Sequence, residues 1–172
     1  MINLNIDNVR KNLLKLLDYS DVSDKEFSNI LGISDKQFRL IKSDIARFNI
    51  PNINKACEFF NTAFDSINGE DVPVGNYYRE QLAEHHKNNP EYLLPLTRRP
   101  TIKHAIRFEL LFNNLFKSKG MTVGEIKIVF EQRGWEYSSN YISTSLHRYH
   151  DLVKVIGIKT QRGKSIKVYS SN

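Results

Sequence analysis

Five histidines, one cysteine and nineteen carboxylates are the groups from which this chain could build a metal site or a catalytic centre. His85 and His86 are adjacent, so on a helix their side chains point apart. His147 and His150 have no thiol or carboxylate cluster at zinc spacing beyond Asp151. Cys57 cannot form an intrachain disulfide, and its neighbours Ala56, Phe59, Phe60 and Ala63 assign it to the packed core face of a helix. The sequence has no glycine-rich phosphate loop, nucleophile elbow or paired acidic motif. No catalytic residue, metal ligand or cofactor is therefore expected, and the chain is read as a non-enzyme. What remains is the chemistry of nucleic-acid contact. Asn140 can make a bidentate bond to adenine, Ser143 and Thr144 carry short hydroxyls suited to phosphates or bases, and His147 and Arg148 follow them. Lys159, Arg162, Lys164 and Lys167 come next, in a segment whose cations suit a polyanion. Tyr77 and Tyr78 could stack on single-stranded bases, but packing in a connecting segment or a dimer contact is the simpler reading.

The charge distribution sharpens this. The net charge of +6 hides a neutral stretch over 1–69, a net −3 over 70–96 and a net +9 over 97–172. Such asymmetry points the last third of the chain toward nucleic acid. The 40% apolar and 11% aromatic content is enough to bury a core in one ordinary domain or two small ones. Apolar runs reach only a few residues, far short of the roughly 20 that cross a bilayer, so no membrane partner is expected. The start MINLNIDNVRK lacks a basic segment followed by an apolar one, which makes a cytoplasmic, nucleoid-associated location the expectation.

The elements that would position these residues fall into two blocks. Val9, Leu13, Leu16 and Leu17 repeat at helical spacing. Ser23 and Glu26 form a capping box that opens a helix over 24–31, and Gly32 stops it. Ser34 caps the next helix, whose stripe is Phe38, Ile41 and Ile45, before Asn49-Ile50-Pro51 breaks it. Another helix runs through Ala56, Phe59, Phe60 and Ala63 to a turn at Asn68-Gly69. Residues 70–100 read as a linker with one polar helix at 76–88, because prolines at 90, 95 and 100 favour an extended path. Ile102 to Phe116 reads as a single apolar helix closed by Gly120. Thr122 and Glu125 box the following helix, with Val123, Ile126, Val129 and Phe130 facing inward, and Gly134 ends it. Ser138 or Ser139 caps a third helix with the stripe Ile142, Leu146 and Tyr149. The period then switches to two over 153–159 and 165–169, around a five-residue loop at Thr160 to Lys164.

The stretch Lys25-Glu26-Phe27-Ser28-Asn29-Ile30-Leu31-Gly32-Ile33-Ser34, followed by Phe38 and Ile41, resembles the helix-turn-helix of the lambda-repressor-like (Cro/C1, XRE) family. The likeness continues through Ile50-Pro51 and Phe64-Asp65-Ser66-Ile67 and implies a five-helix bundle over 1–69. In it Ser28 is small so that helices cross closely, and Gly32 turns the chain. Lys36, Arg39, Leu40, Ser43 and Arg47 would face the major groove, with Leu40 against a thymine methyl. Residues 101–172 resemble a winged helix: three helices and a β-hairpin. The residues that carry the likeness are Met121 to Ile126, Tyr141 to Leu146, and Arg162-Gly163-Lys164-Ser165. Here Asn140, Ser143, Thr144, His147 and Arg148 would read DNA. Arg162 and Lys164 would enter the minor groove or grip the backbone, and Lys159 and Lys167 would add phosphate contacts.

The expected protein is mainly α, with two helix-turn-helix units acting on double-stranded DNA as a sequence-specific transcriptional regulator. A homodimer is expected because one such unit buries little surface, although two units in one chain weaken that need. A small-molecule effector leaves no trace in the sequence. The alternatives from other classes are a protein-interaction adaptor or antitoxin-like subunit, and a replication or excision accessory factor.

Overall fold

A computed structural model describes residues 4–172; the first three residues of the N-terminal domain expected over 1–69 lie outside it. The chain is mainly helical with one small antiparallel sheet, and it divides into two compact units, 1–98 and 99–172.

The first unit contains α1 (Ile6–Ser20), α2 (Asp24–Leu31), α3 (Asp35–Lys42), α4 (Ile50–Phe59), α5 (Phe64–Asn68), α6 (Tyr78–His85) and α7 (Pro90–Thr97). Local chemistry sets most boundaries. Ser23 accepts from the Glu26 amide while the Glu26 carboxylate bonds back to Ser23, and Gly32 ends α2 at φ 71°, a left-handed turn that glycine adopts without cost. Asn49 caps α4 with Pro51 in its first turn, where a missing N–H costs nothing. Phe27, Phe38, Phe59 and Phe60 are fully buried and meet edge to face or tilted at 5.0–6.3 Å. Burying each ring contributes about 2–3 kcal/mol. Cys57, expected in the core, is only half-buried at its rim.

The linker expected over 70–100 is not found. Residues 70–98 belong to the first unit, and its helix is α6, shorter than the expected 76–88. Asn12 on α1 fastens the entry: its amide donates to the carbonyls of Ile67 and Gly69 and accepts from the Val72 amide. Arg79, 4% exposed, donates to the carbonyls of Ser20, Pro95 and Arg98. The prolines misled because Pro90 sits at the start of α7, and Pro95 lies inside it with its carbonyl held by Arg79. Among the described residues the first unit therefore has seven helices instead of five.

The second unit contains α8 (Ile102–Phe108), a 3₁₀ turn (Leu110–Phe112), α9 (Asn114–Lys119), β1 (Met121–Thr122), α10 (Val123–Gln132), α11 (Ser139–Arg148), β2 (Val153–Gln161) and β3 (Lys164–Ser171). The single helix expected over 102–116 breaks at Glu109, because Asn113 starts α9 by accepting from the Phe116 amide. Leu115 is consequently exposed. Of the four residues expected inward on α10, Ile126 and Phe130 are buried; Val123 and Val129 are half-buried. β1, too short to leave a periodic signal, pairs with β3 through Met121–Tyr169 and Thr122–Val168, giving the sheet order β1-β3-β2. The expected five-residue loop shrinks to Arg162-Gly163, because Thr160 pairs with Ser165 and Gln161 with Lys164. Both turn residues are left-handed, at φ 50° and 73°, the geometry that matches a twisted two-residue hairpin. The core joins Ile106, Phe116, Ile126, Phe130, Ile142, Leu146 and Tyr169. Tyr137 is buried with them and donates its hydroxyl to the Pro100 carbonyl.

Candidate nucleic-acid interface

α11 begins where the Ser138 hydroxyl accepts from the Tyr141 amide. Ile142, Ser145 and Leu146 are buried, which fixes the helix's rotation. Asn140, Thr144, His147 and Arg148 are exposed on the remaining face, and Ser143 is half-buried at its edge. β3 runs beside this helix: Lys167 Nζ lies 3.4 Å from His147 Nε2. Between the two elements is a cleft of about 330 Å³ lined by Val123, Ser143, His147, Ser165, Ile166, Lys167 and Tyr169. Arg162 and Lys164 are exposed at the hairpin turn.

The two strand lysines, expected to act together, separate. Ile158 is the cross-strand partner of Lys167, and Lys159 is the partner of Ile166. Side chains alternate along a strand, so Lys159 points to the opposite face from Lys167. It meets Glu125 at 3.8 Å, at the start of α10. The Glu125 carboxyl is held below the usual range, first by the Thr122 amide, then by the Thr122 hydroxyl, with Lys159 adding to both. Lys159 is thus turned away from the α11 cleft. Ser165 and Tyr169 also line the cleft, although neither was among the expected DNA contacts. Their signal was present, since the period of two puts them on one face with Lys167.

In the first unit the Ser34 hydroxyl caps α3 by accepting from the Gln37 amide. Lys36 and Arg39 are exposed on α3, and Leu40 is half-buried. Ser43 is the C-terminal cap, so Ser43 and Arg47 lie beyond the helix on which they were projected. Ile45, expected inward, is 73% exposed. The cause is Asp44 at φ 61°, a left-handed residue that ends the helical projection and turns Phe48 into the core instead. Asp35 accepts a bond from the Ser28 hydroxyl at 2.7 Å and is directed back toward α2. Lys42 and Arg10 are engaged by Asp24 and Asp44 at 2.8 and 3.2 Å. The first unit carries twelve basic and fourteen acidic residues, the second thirteen and five, giving −2 and +8.

Among the described residues no group of three or more His, Cys, Asp or Glu side chains is arranged to hold a metal, and no helix is long and apolar enough to cross a membrane. No protein-family model matches the chain, and no curated protein and no solved structure matches it.

Proposed function

We propose that the chain binds duplex DNA through its C-terminal unit and acts as a sequence-specific transcriptional regulator. The observation that carries this reading is the meeting of the exposed polar face of α11 with Lys167 across one cleft, in a unit of net charge +8. A helix is the right width for the major groove, which is about 12 Å across, and Asn140 and Thr144 are free to reach base edges there. The hairpin turn carries Arg162 and Lys164 on the flank, where phosphates or the minor groove would lie. The element order and the sheet order β1-β3-β2 support a winged-helix reading of this unit. The tight Gly32 turn between α2 and α3 supports a helix-turn-helix reading of the other.

For the first unit a second role has its own support. Its net charge of −2 and the exposed Ile45 and Ile50 near α3 favour contact with protein, as in an adaptor or a dimer.

Salt titration of duplex binding tests the proposal. Binding should weaken with a log–log slope of about −0.9 per neutralised phosphate, hence several units. Arg162→Glu with Lys164→Glu should make that slope shallower by about two units. Wild-type slope in the double variant would remove the hairpin from the interface, and salt-independent binding would remove DNA.

A further inference from the structure

The contact between His147 and Lys167 joins two groups that cannot both be charged without repulsion. A lysine ammonium has only donors, so of this pair the imidazole Nε2, 3.4 Å away, is the atom with a lone pair to offer. The groups facing His147 are few. β3 supplies Lys167 and the Tyr169 phenol, α10 supplies only Val123, and Ser143 lies one turn earlier on α11. Beyond His147 on its own segment are Arg148, His150 and Asp151. None of the cleft-lining residues is a carboxylate. Glu125, the acidic residue at the start of α10, is committed to its Thr122 cap and to Lys159 on the other face of the sheet. The cleft therefore holds an ammonium, an imidazole and the hydroxyls of Ser143 and Ser165, with no anion of its own.

We infer that this cleft is a phosphate-binding notch in which Lys167 and His147 grip one oxyanion together, His147 taking up a proton as the anion enters. The anion replaces the imidazole lone pair as the partner of Lys167, and the protonated ring becomes a second donor to it. A phosphate oxygen accepts from Lys167 Nζ and from His147 Nε2–H, and the two serine hydroxyls lie within the same cleft. The inference rests on the DNA reading for the source of the phosphate, a backbone phosphodiester. Its chemistry would equally admit free phosphate.

The thermodynamic sign follows from linkage. The bound state carries more protons than the free state, so affinity is higher at low pH and is lost as pH rises. Histidine is the side chain whose ordinary titration spans this range. Wild-type protein should bind a mixed-sequence duplex about five- to tenfold more tightly at pH 6 than at pH 8, at constant ionic strength, an average uptake of roughly half a proton per complex or less. His147→Gln should still bind and should vary less than about twofold over that interval. His150→Gln should keep the wild-type pH dependence. By NMR, inorganic phosphate should raise the titration midpoint of His147.

Wild-type pH dependence in His147→Gln would overturn the notch while leaving duplex binding intact. If neither pH supports duplex binding, the DNA reading fails. The phosphate titration then decides the notch alone: a raised His147 midpoint upholds it, and an unmoved one overturns it.

Discussion

Gly120 joins α9 to β1, and its replacement by alanine should be among the most damaging small changes in the C-terminal unit. The residue has φ 71° and ψ 167°, a conformation essentially confined to glycine. A Cβ there would lie 2.8 Å from the Tyr169 carbonyl oxygen, 2.8 Å from Val168 Cγ1 and 2.6 Å from Ile156 Cδ1. Backbone strain costs about 1–3 kcal/mol, and forcing a methyl into a packed site costs about as much again. A loss near 4 kcal/mol is comparable to the whole stability of a unit this size. At about 4–8 °C per kcal/mol, the thermal midpoint should fall by roughly 15 °C or more. Trp135, the chain's one tryptophan, packs against the core of this unit and reports its unfolding by fluorescence. Two other glycines calibrate the result. Gly134 has φ 75° but open space around it, so Gly134→Ala should cost only about 1 kcal/mol of strain. Gly157 has neither a positive φ nor a neighbour within 4 Å, and Gly157→Ala should stay within about 0.5 kcal/mol of wild type. Equal midpoints for Gly120→Ala and Gly134→Ala would refute the reasoning, because the close approach of the β3 backbone would then carry no energy.

Arg79→Met should destabilise the N-terminal unit by about 3 kcal/mol, since three carbonyls lose their donor; faster amide exchange in α1 and α6 would register it. Glu125 has a depressed carboxyl, so its stabilising contribution is present above the unfolded value near 4.5 and is lost as pH falls through the lower folded one. Glu125→Gln keeps the cap but removes that titration, and the Trp135 transition should then shift less between pH 5 and pH 3 than in wild type. Lys167→Ala should reduce the salt slope of duplex binding by about one unit, whereas Lys159→Ala, on the opposite face of the sheet, should leave it nearly unchanged.

Elements whose determinants are local were legible before any coordinates. Two capping boxes, at Ser23 and Thr122, the caps at Ser34 and Ser138, and the left-handed Gly32 all sit where side-chain chemistry puts them. The outward face of α11 followed from the spacing of Ile142 and Leu146. The misreadings have different causes, some distant in the chain and some local. Pro95 stands inside α7, and its carbonyl is taken by Arg79, sixteen positions earlier, a partner the local sequence does not reveal. The helix at 102–116 breaks because a local asparagine cap at Asn113 outweighs a continuous apolar pattern. Asp44 adopts a left-handed conformation, which Asp enters more readily than most residues, and it carries Ile45 and Arg47 off the projected helix. The two strand lysines were grouped by sequence proximity, yet strand alternation, fixed by the pairing of β2 with β3, separates them.

On the proposed function, α11 and the β2–β3 hairpin form one duplex-binding face. Amide hydrogen exchange of the full chain, with and without a mixed-sequence duplex, tests it directly. Exchange should slow at 139–148 and 160–167 on binding, with 24–31 unaffected. Protection confined to the α2–α3 segment, with 139–167 unchanged, would contradict it.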